Sequence, residues 1–459
     1  MVGSGIAGLA AAWELTSRSS DASVTVFDPG PPGGKIRTTQ FEGRAVDEGP
    51  DAFLTRVPEA VQLCAELGIT GELVGPAAGS SMVWWGGRLR PLPDGLVLGV
   101  PGRLSAIARS GILSPFGALR AGLDLLLPRT EIPDDLSVYD LVAARFGKEV
   151  ATRLVDPLVG GIHAGRTDEL SASATVPQLV SAARRSRSLL LALRTMGSAG
   201  PTGPVFLTPR LGLGRMVEVL VSKLKERGAT FANRAVGPLA PTAGGGIPVD
   251  GGERYDGVVL AAPAPAAAGL VDAVSPSAAT GLREIDHASV VVVTMSFPAG
   301  SVPVPEGVNG FLVPRTAGRL MTACSFASAK WPHWGTAGRT LVRLSAGRSG
   351  DERAIGLGDD TLVERLSEEL GIALSQRLPA PDSARVTRWA GSFPQYSVGH
   401  SRRVASIDAA LASDQPGIAL AGAAYRGAGI PACIGSGRRA AGILLAMTSP
   451  GRDRGLGVG

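Results

Sequence analysis

Three glycines near the start of the chain, Gly3, Gly5 and Gly8, stand in the spacing G-x-G-x-x-G, which suits a polypeptide to hold a pyrophosphate. The first glycine permits a tight turn, the second lets backbone amides approach the phosphates, and the third lets a helix pack close to a strand. The free N–H groups and the positive dipole end of that helix then face the anion. These glycines need partners in a fixed order. "LAAAWELTSR" supplies the helix, and "SVTVFD" is a short β-branched run ending at Asp28, twenty residues past Gly8. A carboxylate there can accept hydrogen bonds from both hydroxyls of a ribose. The set predicts a bound dinucleotide, and at this point NAD and FAD both satisfy it. The feeding strand is short: such a fingerprint follows a strand of about five or six residues, whereas only Met1 and Val2 precede Gly3. The expectation is that a few apolar residues belong upstream of Met1; otherwise a two-residue stub opens the sheet.

Two stretches follow the acid. In "PGGKIRT", Gly33 and Gly34 give a second close-approach turn and Lys35 and Arg37 bring cations; in "DEGPDAFL", Asp47, Glu48, Gly49 and Pro50 set another turn. Far away, "GIALAGAAYRGAGIPACIGSGRRAAGILLAM" reads as a strand reaching Gly422, a loop holding Gly427, Gly429, Ile430 and Pro431, and an alanine-rich helix from about Ser436. A helix N-terminus aimed at a flavin would stabilise the anionic charge of its reduced form.

With these motifs in place the chain resembles the FAD-containing amine oxidase superfamily, and within it the protoporphyrinogen and coproporphyrinogen oxidases. The resemblance runs nearly end to end. It implies non-covalent FAD held by Gly3, Gly5, Gly8, Asp28, Gly34, Lys35, Arg37, Gly49, Pro50, Val236, Ala262, Trp389, Gly422, Gly429, Ile430 and Pro431. Lys35 would lie near the phosphates and Val236 against the adenine; Trp389 either packs near the flavin or is a core indole. Ala432 stands where the family commonly has an acid. Cys433 reads as a small buried apolar residue, away from the position of the covalent flavin cysteine. In mid-chain, "VYDLVAARFGKEVATRLVDPLVGGIHAGRTDELS" resembles the family through Arg145, Phe146, Gly147, Asp156, Pro157, Gly165 and Leu170. His163 reads as a satisfied loop histidine, with a catalytic base as the alternative. The resemblance places Gly165 and Arg90 at the substrate, where Arg90 of "GGRLRPLP" would hold a propionate through bidentate pairing; an arginine exposed on a hairpin is the alternative.

The fold expected is α/β: a Rossmann-type FAD-binding domain, a mixed-sheet substrate domain and an inserted α-helical domain of the membrane-associating type. The expected divisions are 1–85, 206–275 and 401–450 for the FAD domain, 86–205 for the helical insertion, 276–400 for the substrate sheet and 451–459 for a flexible tail. Composition agrees with this, since 44% of the 459 residues are hydrophobic and 19% charged. A net charge of +5 comes without the basic, aromatic-interleaved block that binds nucleic acid. Cys64, Cys324 and Cys433 form no CxxC, and four histidines make a metal site unexpected. No run of eighteen apolar residues and no leader appear, which points to the cytoplasm, with peripheral contact at the inner face of the cell membrane as an addition. "LSAIARSGILSPFGALRAGLDLLLP" is the stretch for such contact, although a core or pocket wall reads more naturally.

No nucleophile–base–acid constellation is present, so the flavin carries the chemistry: hydride leaves to N5 while the protein orients the substrate. The resemblance implies oxidation of a porphyrinogen, a tetrapyrrole, to a porphyrin in three two-electron steps. O2 then reoxidises the flavin to give H2O2. Coproporphyrinogen III is preferred over protoporphyrinogen IX because the short chain, the lack of an organelle signal and the arginine- and alanine-rich composition resemble the bacterial members that act on it. A tetra-acid also suits a basic chain. Handover to a ferrochelatase and a monomeric or homodimeric state accompany this expectation. The rivals are another oxidase of the superfamily, a non-catalytic flavin- or porphyrin-binding protein, and a nicotinamide dehydrogenase.

Overall fold

Helix Ile6–Arg18 forms because "IAGLAAAWELTSR" is rich in alanine and leucine, and Gly5, in an extended conformation, starts it. Leu9, Ala10, Ala11 and Ala12 are wholly buried, so the helix is covered on nearly every side. Helices Gly214–Glu226 and Ile430–Thr448 share its core through Met216, Leu220, Ile434 and Ala440. The computed structural model describes residues 1–77, 79–129, 131–198, 203–241, 246–250, 252–335 and 338–448; the tail expected at 451–459 lies outside the described residues.

Four short strands lie beside this helix layer in two parallel pairs, Thr25–Phe27 with Thr230–Ala232 and Val258–Leu260 with Ile418–Leu420. Val2 joins them, with parallel bridges to Phe27 on one side and Leu260 on the other. Its N–H donates to Val259 O at 2.9 Å, and its own carbonyl accepts from Ala261 N at 2.7 Å. The two-residue stub therefore holds the central place of a Rossmann-type parallel sheet, directly before the glycine turn.

The second layer is a seven-stranded mixed sheet. Its order is Ser383–Pro394, His287–Pro298, Arg339–Ala346, Met321–Ser325, Val308–Leu312, Ser80–Trp85 and Arg88–Pro91. Neighbours are antiparallel except Val308–Leu312 with Ser80–Trp85. Helix Asp359–Leu374 covers one face with Leu362, Leu366 and Leu370. The division expected between residues 85 and 86 falls inside the hairpin Ser80–Trp85/Arg88–Pro91. A hydrogen-bonded hairpin cannot be shared between two units, and both of its strands belong to this sheet.

Between the hairpin and residue 198 the chain is mainly helical, apart from the short pair Leu96–Val97 and Val100–Pro101, and Ile107, Leu141, Phe146, Leu154, Leu179 and Leu193 share a core with Val83 and Tyr396. Arg145, from the family-like Arg-Phe-Gly, is 3% exposed in it. Its Nε donates to Asp124 at 2.6 Å, and the other Asp124 oxygen accepts from Ser188 Oγ and Leu190 N. The resemblance at Arg145 is thus structural, tying three segments through one buried ion pair. The expectation of a core or pocket wall for 104–128 holds for Ile107, Ile112, Leu113 and Ala121, which are buried in this core, but not for the outer face of the stretch. Helix Pro115–Gly122 and the turn after it leave Phe116 and Leu126 83% and 75% exposed, because Arg120 takes the inward face and donates to the Arg145 and Ala144 carbonyls.

Candidate active site

The three fingerprint glycines are needed for different reasons. Gly3 has φ of +105°, and a Cβ there would lie 2.8 Å from the Ala261 carbonyl, so the turn abuts the Ala261–Ala262 backbone. A Cβ on Gly8 would lie 2.0 Å from Gly3 O, which only a helix without a side chain at that point allows. Gly5 differs: a Cβ there meets nothing within 4 Å. Two glycines close the turn, and the third faces open space at the start of helix Ile6–Arg18, as a site for phosphates requires. Asp28 completes the turn by accepting from Ser4 N at 2.7 Å, Ser4 Oγ at 2.8 Å and Gly30 N at 2.8 Å.

The second glycine loop is seated on the first. Gly33 N donates to Ser4 O at 2.8 Å, and Gly34, with φ of +58°, approaches Gly5 Cα. Of the two cations expected here, Arg37 is already committed, because its guanidinium pairs with Glu48 and lies over the Trp389 ring. That leaves Lys35, which makes no hydrogen bond or ion pair among the described residues. Its side chain is open to solvent, and the neighbouring protein desolvates it enough to lower its pKa. Gly49 is fixed by close approach, since a Cβ would lie 2.4 Å from Lys35 O, and its carbonyl accepts from Arg343 at 2.6 Å. Trp389 donates from Nε1 to Glu48 O at 3.2 Å, and Pro50 follows on the same turn.

The C-terminal segment packs beside the first glycine turn, where a Cβ on Gly437 would lie 2.1 Å from Ala7 O. Gly422, with φ of +129°, has nothing within 4 Å of a Cβ, and its N–H donates to Ser436 Oγ at 3.1 Å. The helix expected from about Ser436 begins at Ile430, so "IPACI" is its first turn and not a loop. Pro431 is tolerated there because first-turn N–H groups have no intrahelical partner. Gly429 O accepts from Cys433 N at 2.9 Å. Burial pushes the Cys433 thiol up to about 11, with Lys35 nearby opposing it. Tyr396 joins this loop to the sheet, its hydroxyl donating to Ala423 O and accepting from Gly427 N.

Val236 is half-buried against the core that holds Phe27, Leu239 and Leu260. Gly165 follows Ala164, whose left-handed backbone (φ 47°) costs about 1–2 kcal/mol in an L-residue, a strain that collects at functional turns. A Cβ on Gly165 would lie 2.6 Å from Gln395 Oε1. His163 sits one residue before Ala164 with its ring 6.0 Å from that of Tyr396, and burial holds its pKa down at about 4. Arg90 stands apart: it is on the edge strand of the large sheet, donates to Trp85 O at 3.4 Å and lies against Gly111, with no hydrogen bond to the Gly165 turn. The sequence reading gave no role to Arg315, which donates to Gly165 O at 3.2 Å, or to Asp135, which accepts from Ser171 Oγ, Ser173 Oγ and Gly399 N. No motif spacing marks either one.

A family model described as flavin containing amine oxidoreductase matches residues 6–445. The coproporphyrinogen III oxidase of Bacillus subtilis (strain 168) is 34% identical over 455 residues, covering 96% of each chain. That of Mycobacterium tuberculosis (strain ATCC 25618 / H37Rv) is 34% identical over 450 residues, covering 96% of this chain and 95% of its own. A solved structure from Exiguobacterium sp. 255-15, assigned as a protoporphyrinogen oxidase, superposes with a TM-score of 0.86 at 30% identity over 97% of this chain and 98% of its own. The glycine turns, the acid at the strand end and the C-terminal helix are the parts such a flavin enzyme needs, and the chain belongs to the flavin containing amine oxidoreductase family.

Proposed function

We propose that this protein binds FAD non-covalently and oxidises coproporphyrinogen III to coproporphyrin III, with O2 reoxidising the flavin to give H2O2. The observation that carries the reading is the end-to-end likeness, at 34% identity, to proteins named coproporphyrinogen III oxidase. The cleft supports it: Gly5 and Gly422 leave room beside their backbones, Asp28 ends its strand at the turn, and Lys35 is a cation without an internal partner. When bound, FAD supplies the two-electron acceptor. The chain's own residues orient the ligands: Asp28 at the ribose, Lys35 at the phosphates, Gly49 and Trp389 at the flavin, and Gly165 toward the macrocycle. Cys433 is suited to packing and not to a covalent link, because its Sγ lies 3.7 Å from Ala428 O and its thiol stays protonated at neutral pH. Incubating the flavin-loaded protein with coproporphyrinogen III, and separately with protoporphyrinogen IX, while following porphyrin fluorescence and H2O2 tests the reading. A faster rise with coproporphyrinogen is expected; no rise above the uncatalysed rate with either compound overturns it.

The protein also meets the membrane peripherally. Among the described residues no helix is long and apolar enough to cross a membrane. The ridge Phe116, Leu119, Leu123 and Leu126 is nevertheless exposed, and Arg187 donates to Leu125 O beside it. Apolar side chains flanked by cations favour an anionic lipid surface. Sedimentation with phosphatidylglycerol vesicles should carry the protein down, and Phe116→Ser with Leu126→Ser should abolish this without changing turnover in solution; equal sedimentation of both proteins refutes the contact.

A further inference from the structure

Two arginines on loops of the seven-stranded sheet come together where no carboxylate closes on them. Arg315 follows strand Val308–Leu312 and Arg348 follows strand Arg339–Ala346. Arg315 Nη1 donates to Ser349 O at 3.0 Å and Nη2 to Gly165 O at 3.2 Å, so its guanidinium lies between the Arg348 loop and the Gly165 turn. Ser349 N donates to Ala164 O at 2.7 Å and locks the two loops together. The Nε atoms of both arginines are buried without a hydrogen-bond partner, and the Arg348 side chain makes no hydrogen bond or ion pair among the described residues.

The nearby acids act on the pair only at a distance, and each has a hydrogen-bond or ion-pair partner of its own. Asp351 pairs with Arg353 at 2.8 Å, Asp168 with Arg166 at 2.6 Å, and Asp156 accepts from Thr167 Oγ1 at 2.9 Å. Burial and the neighbouring Arg315 both lower the pKa of Arg348, more than Asp351 and Asp156 raise it, while Arg353 acts in the same direction as Arg315. A guanidinium remains charged even so. Two neighbouring guanidinium groups, Arg315 held by backbone carbonyls and Arg348 with its donors left over, are unfavourable until an anion arrives. A carboxylate matches the planar fork of such donors.

We propose that Arg315 and Arg348 form a carboxylate-holding site at the Gly165 turn, which takes a propionate of the porphyrinogen and fixes the orientation of the macrocycle. This rests on the oxidase reading above and assigns the propionate to a place well away in sequence from Arg90. Arg348 is the cleaner position to vary, because Arg315 also supports Gly165 and Ser349.

The test compares coproporphyrinogen III with its tetramethyl ester, in which the same ring carries no charge. Arg348→Gln should raise KM for the free acid about 10- to 100-fold, the loss of a charge-assisted contact, and leave KM for the ester unchanged. Arg348→Lys should recover part of the loss, and Arg315→Lys serves where Arg348→Gln does not fold. A rise in KM for both compounds alike, or for neither, overturns the site while the oxidase reading stands. If the wild-type protein turns over neither compound, the oxidase reading has failed. The dissociation constant for coproporphyrin III, read by fluorescence quenching, then decides: weaker binding to Arg348→Gln upholds the carboxylate site, and equal binding overturns it.

Discussion

Gly437 lies where helices Ile6–Arg18 and Ile430–Thr448 cross, and replacing it by alanine isolates what that crossing contributes. A Cβ at Gly437 would lie 2.1 Å from Ala7 O and 3.0 Å from Ala11 N, both backbone atoms that cannot rotate away. Ordinary contact begins at 3.4 Å, so the helices must separate by more than an ångström at their closest point. Forcing a methyl into a packed core costs about 1–3 kcal/mol, and a backbone clash belongs at the upper end. Alanine returns up to about 1 kcal/mol of helix propensity, which leaves a net loss of about 2 kcal/mol. For a chain of 459 residues, an unfolding entropy of about 1 kcal/mol/K makes this a fall of about 2 °C in Tm. The same helix contains the control. Gly442 has nothing within 4 Å of a Cβ, so Gly442→Ala should keep the propensity gain and raise Tm by about 1 °C. Because one helix starts at the Gly5 turn and the other at Ile430, the separation should also lower the flavin-to-protein ratio after gel filtration for Gly437→Ala alone. Equal Tm and flavin content in the two variants would refute the close-crossing argument.

Asp28→Ala removes the acceptor for Ser4 N, Ser4 Oγ and Gly30 N together with the proposed ribose contact; flavin affinity should fall about 10- to 100-fold, measured by fluorescence titration of the apoprotein. Asp124→Ala leaves Arg145 buried without its carboxylate and should cost about 3–5 kcal/mol in denaturant unfolding, whereas an exposed pair such as Arg283–Asp272 should cost under about 1 kcal/mol. Asp47 is raised to about 7 by burial, with Thr38 and Leu213 N opposing. A raised acid contributes stability that is fully present below the ordinary value of 3.8 and is lost as pH rises through about 7, at up to about 1.4 kcal/mol per pH unit. His163 and His400, both lowered to about 4 by burial, act in the opposite sense below 6.5, so the difference between wild type and Asp47→Asn is the quantity to follow from pH 5 to 8. That difference should move in favour of Asp47→Asn as pH rises, and a flat difference would remove Asp47 as the titrating group.

What could be read in the sequence was local. The G-x-G-x-x-G turn, the helix after it and Asp28 at the strand end are governed by spacing, and each stands where spacing placed it. "GIP" reads in sequence as a loop, yet the C-terminal helix starts at Ile430, and a proline two residues into a helix is itself a start signal. Arg37 reads in the sequence as a cation free for the cofactor, but its ion pair with Glu48 depends on a hairpin fold that charge alone does not announce. Arg315, Arg348 and Asp135 were passed over for the same reason. Arg315 and Asp135 have partners 150 and 264 residues away, and no periodicity links residues at such separations.

Those distant joints share a chemistry. Asp47 accepts from Leu213 N, fixing the start of helix Gly214–Glu226 against the hairpin Thr38–Phe41/Arg44–Asp47. Asp51 accepts from Lys330 at 2.8 Å and Trp331 Nε1 at 3.0 Å, fixing the same turn against the large sheet. Asp135 fixes the helical block to Gly399, at the start of helix His400–Asp414. Apolar packing alone would bring these layers together, but it has no direction and tolerates sliding. A buried carboxylate with two or three donors tolerates very little, because a shift leaves it desolvated and unpaired. Asp47 and Asp51 bracket Glu48 and Gly49, where the proposed flavin ring would lie, and Gly399 is three residues beyond Tyr396, which holds the C-terminal loop. The acids sit where the layers meet around the cleft. Their placement suits the positional accuracy that the proposed hydride transfer between two bound rings would require.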